Sequence, residues 1–266
     1  MYYRMQRDAP GDEEYMSEPS QELANPPIVE AVVDIDCDLP PGVDLAALKE
    51  KAQTCFQAEY PDFQTRYMFE HEFQTKGDAD LRASSRRGVD GYLFRREDKT
   101  QLVQVRRQGF SFNRLEPYSS LDDYLPEIER RWGQFVEFAE PVQIRVIRLR
   151  YVNRLPLPLS GAMLDLDTYL RVGPRLPDEE RLSFAGFLNQ HKAVERETGN
   201  EVRTVLTSRK PESDVLPVIF DITVSKAVDM EPDEWPVISS TIQCLRELKN
   251  RVFYNTLTEQ CLKLFQ

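Results

Sequence analysis

The sequence VQIRVIRLRYVNRLP at residues 142–156 is the longest stretch of strand character in the chain, and it constrains the fold more than any other feature. It is rich in β-branched residues and contains no glycine, which favours a pleated strand over a helix. Its apolar positions are even-numbered up to Val146 and odd-numbered from Ile147 to Tyr151. Because successive side chains of a strand point to opposite faces, we predict a central strand with a bulge or bend near Val146 and Ile147.

Arginine side chains share one face of this predicted strand after the bend. Arg148, Arg150 and Arg154 lie at even-numbered positions, and Arg106 and Arg114 belong to a predicted hairpin. A guanidinium binds carboxylate or phosphate through parallel hydrogen bonds, so these arginines are candidate ligand-binding residues on one basic surface.

An acidic row on the first predicted strand offers a competing interpretation. Glu30, Asp34 and Asp36 lie opposite the apolar face of residues 28–37 and can neutralise the arginines across neighbouring strands, which would leave a structural network. Clustered carboxylates also suit a divalent cation, but no Asp-rich loop or nearby histidine accompanies them, so we predict no metal site. The sequence alone leaves the ligand-binding and structural interpretations open.

The charge of the chain bears on its partners. A net charge of −11 over 266 residues argues against a general nucleic-acid or acidic-membrane binder, because such proteins use a basic field to reach phosphate. The distribution is uneven, however. Residues 1–38 carry ten acidic and two basic residues, whereas residues 82–114 carry nine basic and three acidic residues, so the middle of the chain is locally positive.

The remaining segments alternate between strand and helix patterns after an acidic tail at residues 1–24, which we predict to be disordered or loosely attached. Strands are predicted at residues 28–37, 64–74, 92–96, 102–107, 110–115, 182–194, 201–207 and 218–224, with a mobile loop at residues 75–88. Helices are predicted at residues 45–56, from Ser119 or Ser120 past Phe135, at residues 164–172 and at residues 234–254, with a continuation over residues 257–265.

The order of these elements is similar in two halves, residues 25–139 and 140–266. Each half reads as strand, helix, antiparallel strands and helix, although residue identity between them is weak. We therefore predict an α+β fold in which a duplicated unit forms one curved antiparallel sheet with helices on one face, and in which both halves make one compact domain.

Motifs for catalysis and cofactor binding are absent from the sequence. It contains no GxGxxG, no glycine-rich phosphate loop and no GxSxG, and neither His71 nor His191 has metal-ligand or Cys-paired spacing. The four cysteines lack CxxC spacing and lie in apolar patterns, which is typical of reduced core thiols. We predict a protein that is not an enzyme and has no cofactor, no metal and no catalytic residues.

The location and assembly of the protein follow from the same patterns. No apolar run approaches the roughly 20 residues of a membrane-spanning helix, and the N-terminus lacks the basic-then-apolar order of a signal peptide. We predict a soluble cytoplasmic protein with no membrane partner, and a homodimer is left open.

Aromatic residues are interspersed with arginines near the predicted sheet. Phe110, Phe112, Tyr118 and Tyr151 form a mixture that single-stranded nucleic acid can use for stacking. The simpler interpretation is that Phe110 and Phe112, which share a strand face, belong to the core.

Three sequence blocks carry a resemblance, namely NPPIVE at residues 25–30, GFSFNRLEPY at residues 109–118 and RLRYVNRLPLP at residues 148–158. In their order they resemble a sporadically distributed, functionally uncharacterised bacterial protein family, and the resemblance extends from residue 25 to the C-terminus through Asp221 and Asn250. Leu121 departs from the pattern, in which a Trp is expected. The resemblance implies no reaction, but the family's patchy distribution is similar to that of mobile-element, toxin–antitoxin and phage-defence genes.

We therefore expect a non-enzymatic binding or regulatory protein that recognises a protein partner through the curved sheet or the Arg-rich loop. The partner we expect is a neighbouring gene product in a bacterial defence or toxin–antitoxin locus. The alternative is that the Arg-rich sheet face binds single-stranded nucleic acid or a nucleotide, with affinity that falls as salt rises.

Overall fold

A computed structural model describes residues 23–76, 80–159, 165–178 and 180–266, with residues 69–76 and 80–87 described by their backbone alone. Its nine strands form one antiparallel sheet in the order β2-β3-β4-β5-β1-β6-β9-β8-β7. The strands are β1 (Ile28–Asp38), β2 (Asp62–Lys76), β3 (Asp80–Arg95), β4 (Gln101–Arg106), β5 (Gly109–Leu115), β6 (Gln143–Pro158), β7 (Leu188–Val194), β8 (Glu201–Ser208) and β9 (Val215–Met230). The helices are α1 (Leu45–Phe56), α2 (Leu121–Ala139), α3 (Trp235–Thr256) and the single turn α4 (Glu259–Leu262). The prediction of an α+β fold with a large antiparallel sheet is confirmed.

The predicted central strand is β6, which pairs with β1 on one side and β9 on the other. Ile144, Ile147, Leu149 and Tyr151 are buried, so the apolar face changes phase as the sequence predicts. Both pairings shift register around Arg145, one residue before the expected bend. A bulge at this position allows the apolar side chains before it and those after it to point into the same core.

β1 joins the two halves of the chain. It pairs with β5 from the first half and with β6 from the second, so that a single sheet runs through both. Its alternation is as predicted, since Ala31, Val33, Ile35 and Cys37 are buried in the core. Pairing on both sides satisfies the backbone hydrogen bonds of a strand, so β1 and β6 form the interior of the sheet.

The three long helices pack on the same face of the sheet, and their buried side chains join the strand residues in one core. In α2, Trp132 stacks on Phe135, lies edge-on to Phe110 and donates an indole hydrogen bond to the Pro232 carbonyl at 2.8 Å. The apolar stripe predicted for this helix is thus its core face. Phe112 is buried as well, in agreement with the core interpretation of the aromatic pair.

Several predicted segments differ from the structure. The predicted loop at residues 75–88 is wrong, because Asp80–Arg95 is a strand that pairs with β2 along its whole length. Among the described residues, β4 pairs only with Gly91–Arg95 of this hairpin, so the rest of β3 has no sheet neighbour on that side. The polar composition of residues 75–88 indicated a loop.

Three further boundaries are corrected in the second half. Within the described part of residues 164–172, Leu166–Thr168 forms a single 3-10 turn, and the strand predicted from residue 182 begins at Leu188. The last helix does not continue α3, because extended backbone at Leu257 interrupts it before Thr258 caps α4. Of the predicted acidic tail, residues 1–22 lie outside the described residues.

Candidate functional site

The face of the sheet opposite the long helices carries the predicted acidic row and most of the predicted arginines. Asp34 lies directly opposite Ser111 of β5 and Arg148 of β6 in the strand register. The Arg106 guanidinium lies 2.8 Å from Asp36 and 3.4 Å from Asp34, and Arg148 lies 3.1 Å and 3.7 Å from the same two carboxylates. Two guanidiniums and two carboxylates therefore neutralise one another across β4, β1 and β6.

The other two predicted binding arginines of β6, Arg150 and Arg154, pair with carboxylates of the second half. Arg150 contacts Asp221 of β9 at 2.7 Å, and Arg154 contacts Glu212 at 2.7 Å. Hydrogen bonding to Asp221 raises the pKa of Arg150 above its usual value. Neither acidic partner was identified from the sequence, because the choice depends on β9 being the neighbour of β6.

Arg114 does not belong to this face, and its predicted place there is corrected. It pairs with Ala31 in register and so lies on the helix side of β5. Its guanidinium donates to the Pro117 carbonyl at 2.9 Å and lies over the Tyr124 ring at 4.8 Å. The parity of the strand explains the error, because Arg106 and Arg114 occupy opposite faces once the register of the β4–β5 hairpin is known.

Glu30 completes the sheet-face network through neutral side chains. It accepts a hydrogen bond of 2.7 Å from the Asn113 amide, whose oxygen in turn accepts one of 2.8 Å from Gln104. Asn113 and Gln104 are buried although the long helices lie on the other face. Arg106 and Arg148 thus share Asp34 and Asp36, while Arg150 pairs with Asp221 and Glu30 is held by Asn113. This is the structural arrangement that the sequence left open.

A cleft of about 530 Å³ lies on the helix side, where the N-terminus of α2 approaches α3. We call it the Lys249 cleft. Its walls come from four places, namely the segment entering β1, the residues that start α2, the middle of β6 and the second half of α3. The residues that line it are Leu23, Ala24, Pro26, Pro27, Ile28, Tyr118, Ser119, Ser120, Leu121, Asp123, Tyr151, Asn153, Arg246, Lys249, Asn250, Phe253 and Tyr254.

Lys249 is the most unusual group in this cleft. It is only 8% exposed, its Nζ lies 4.0 Å from the centre of the Tyr151 ring, and no carboxylate of a described residue lies within 4 Å of it. Burial, reinforced by the positive charge of Arg246, lowers the pKa of Lys249 to about 7. The cleft therefore contains a cation without an acidic partner among the described residues.

The neighbouring charges of the cleft already have partners. Arg246 contacts Asp122 at 2.7 Å, and the same carboxylate accepts a 2.9 Å hydrogen bond from Gln243. Asp123 accepts a hydrogen bond of 2.6 Å from Ser119 at the start of α2. Lys249 is therefore left as the positive charge that these ion pairs do not balance.

Two tyrosines contribute polar groups to the floor of the cleft. The hydroxyls of Tyr118 and Tyr151 lie 3.0 Å apart and share one hydrogen bond. Burial raises the pKa of Tyr151 to about 12 and also raises that of Tyr118, so both hydroxyls keep their protons near neutral pH. One hydroxyl donates to the other, which leaves one O–H available as a donor.

Arg131 of α2 shows how the same protein treats a buried cation that is structural. It is 1% exposed, and its guanidinium is held by Glu127 at 2.7 Å and by Glu59, above the Tyr60 ring. Lys249 has the aromatic ring but lacks the carboxylates. Since buried charges are normally paired, this difference distinguishes the Lys249 cleft from the ion-pair networks of the fold.

The cleft was not predicted from the sequence, yet the blocks of the family resemblance meet there. Pro26 and Pro27 come from the first block, Tyr118 from the second, and Tyr151 and Asn153 from the third. Comparison with protein-family models and with curated protein sequences gives no match. In the described part of the chain, no helix is long and apolar enough to cross a membrane, and no cluster of three or more His, Cys, Asp or Glu side chains is placed to hold a metal.

Proposed function

We propose that this protein is a non-enzymatic binding protein that recognises a protein partner, and that the Lys249 cleft holds a segment of that partner. The observation that carries the proposal is a buried lysine with no carboxylate within 4 Å among the described residues, facing a cleft of about 530 Å³. Ligand sites are typically concave, partly apolar, and equipped with a few convergent polar groups. This volume is in the range for a ligand of a few residues.

The sheet face supports the proposal by its different character. Its arginines are engaged by Asp34, Asp36, Asp221 and Glu212, which is the arrangement of a scaffold. A binding role is better supported where a charged group lacks such a partner.

The family resemblance supplies the biological setting that we propose. The chain resembles a sporadically distributed bacterial family, and on that ground we propose a defence or toxin–antitoxin locus with a neighbouring gene product as the partner. We also propose the internal duplication. In support of it, the first strand of each half pairs with the strand before that half's long helix, β1 with β5 and β6 with β9, and the two first strands pair at the centre of the sheet.

The proposal is tested by co-expressing the neighbouring gene product with tagged wild-type protein and with two variants. Asn250→Trp places a large side chain in the lining of the cleft and so occupies part of its volume. Arg154→Ala removes a half-exposed ion pair on the opposite face of the sheet. We expect a complex with the wild type and Arg154→Ala, and its loss in Asn250→Trp. A complex that survives Asn250→Trp but is lost in Arg154→Ala would move the interface to the sheet face and contradict the proposal.

The alternative is binding of single-stranded nucleic acid or a nucleotide on the Arg-rich sheet face. It is favoured by one observation, because the side chains of Arg150 and Arg154 keep 38% and 49% exposure despite their ion pairs. This alternative predicts oligonucleotide binding that weakens as salt rises and when Arg150 is replaced by Ala. Fluorescence anisotropy with labelled oligo-dT and oligo-A at low salt tests it, and unchanged anisotropy would eliminate it.

A further inference from the structure

We infer that the Lys249 cleft binds a single carboxylate group at the end of an apolar segment, with the Lys249 ammonium as its ionic partner. The inference rests on the proposed function and names the chemical class that the cleft recognises.

The first step of the argument is the unused bonding capacity of Lys249. Its ammonium carries three N–H donors, and none of them makes a hydrogen bond to a described residue. The Tyr151 ring covers one side of the ammonium at 4.0 Å, which leaves its other side for an acceptor. A ligand oxygen there would supply the partner that buried charges otherwise have.

The second step is the charge balance, which favours a carboxylate over a phosphate. Arg246 is paired with Asp122, so Lys249 is the positive group of the lining without an ion-pair partner among the described residues, and Asp123 already adds a negative charge to the cleft wall. A carboxylate brings one negative charge to pair with Lys249, whereas a dianionic phosphate would bring a second charge that Asp123 repels in a largely buried site.

The third step is the set of additional donors and the apolar wall. The shared hydrogen bond between Tyr118 and Tyr151 leaves one hydroxyl proton for a second carboxylate oxygen, and α2 directs the positive end of its dipole towards the cleft. Part of the lining is apolar, with Leu23, Pro27 and Ile28. A carboxylate attached to an aliphatic chain matches both parts.

Binding should therefore be coupled to proton uptake. Lys249 must be protonated to pair with a carboxylate, and burial lowers its pKa to about 7 in the free protein. Of the groups around it, Arg246 stays charged, Asp122 has its pKa lowered by Arg246, and Tyr118 and Tyr151 stay neutral. Affinity should consequently fall by up to about tenfold per pH unit above pH 7.

The experiment compares hexanoate with hexanamide, its neutral analogue, by titration calorimetry against the whole protein. For the wild type we expect hexanoate to bind at least tenfold more tightly than hexanamide at pH 7, with proton uptake recorded in a pH-stat. In Lys249→Met this preference should disappear. Lys192→Met is the matched control, because Lys192 is an exposed lysine of β7 and its loss removes the same charge outside the lining of the cleft.

Further arms identify the source of the carboxylate. Tetrapeptides ending in Leu are compared as free acid, as C-terminal amide, and as amide with an internal Glu, so that binding of the first or third assigns a C-terminal or a side-chain carboxylate. Equal binding of hexanoate and hexanamide, or a preference that persists in Lys249→Met, overturns the inference. If the partner complex still depends on the cleft in that case, the proposed function survives and only the carboxylate assignment fails.

Discussion

Replacing Lys249 by methionine should stabilise this protein at neutral pH, although it removes the ammonium group from a buried position of α3. Methionine keeps most of the aliphatic length and fills irregular space well. The change removes a cation whose burial lowers its pKa from 10.5 to about 7. The unfolded chain therefore binds more protons than the folded chain between these two pH values, so the folding penalty is complete below pH 7 and is relieved as pH rises towards 10.5.

The size of the effect follows from the two pKa values. Each pKa unit corresponds to about 1.4 kcal/mol, so the difference in unfolding free energy between Lys249→Met and wild type should be about 5 kcal/mol at pH 6. It should decrease to roughly 3 kcal/mol at pH 8 and roughly 2 kcal/mol at pH 9, because the folded wild-type protein then holds a neutral lysine and the cost of removing the proton falls as pH approaches 10.5. The loss of the contact with the Tyr151 ring offsets about 1 kcal/mol of this gain at the lower pH values.

Urea unfolding followed by tryptophan fluorescence at pH 6, 7, 8 and 9 measures this difference. Lys192→Met again serves as the control, because an exposed lysine should show a difference close to zero that does not vary with pH. A Lys249→Met variant that is less stable than wild type at pH 6, or a difference that is constant from pH 6 to pH 9, would refute the assignment of Lys249 as a buried group whose charge lacks compensation.

Three other predictions concern the core, the glycines and the thiols. Trp132→Ala should cost about 3 to 5 kcal/mol of unfolding free energy, because it leaves a large cavity beneath α2; a urea midpoint close to that of the wild type would contradict this core position. Gly109→Ala should lower the unfolding free energy by roughly 2 to 5 kcal/mol, since its φ is +137° and a Cβ would lie 2.3 Å from a β1 carbonyl oxygen. Gly133→Ala in α2 should instead raise it by up to about 1 kcal/mol, because a Cβ there meets nothing within 4 Å. In the native state, Cys244 should react quickly with a thiol reagent because it is exposed. Cys37 should react slowly, because it is buried and burial raises its pKa to about 12. Mass spectrometry after short labelling measures the order, and a result in which Cys37 is modified first would contradict this prediction.

The central part of the sheet was predictable because strand patterning follows directly from burial. β1 and β6 each have one face against the helices and one polar face, so period-two alternation is visible in the sequence. The β2–β3 hairpin was not predictable in the same way. Among the described residues, β4 pairs only with Gly91–Arg95, so the backbone pairing of the outer part is between β2 and β3 and involves no strand of the sheet centre.

The polar face illustrates a second limit of sequence reasoning. Arg148 and the acidic pair of β1 were brought together correctly, because adjacent strands with complementary charges leave few alternatives. Asp221 and Glu212 were missed because their role depends on the order of strands in the sheet, which pairs β9 with β6 across a long connection. Arg114 was assigned to the wrong face because a hairpin's register decides parity, and one residue reverses it.

The signal for Lys249 is present in the sequence, but it takes the form of an interruption in a pattern. In α3, Ile238, Ile242, Leu245 and Phe253 are buried at helical spacing, and Lys249 occupies the position on that stripe between the last two. A lysine beside Arg246 and Asn250 resembles an ordinary solvent-exposed position when it is considered by composition alone. Its place on the apolar stripe means that the packing of α3 against β6 must bury it. The buried ammonium lowers the unfolding free energy relative to a methionine at this position. That loss is understandable if the ammonium binds a ligand, which is why the stability and binding measurements on Lys249→Met should change in opposite directions.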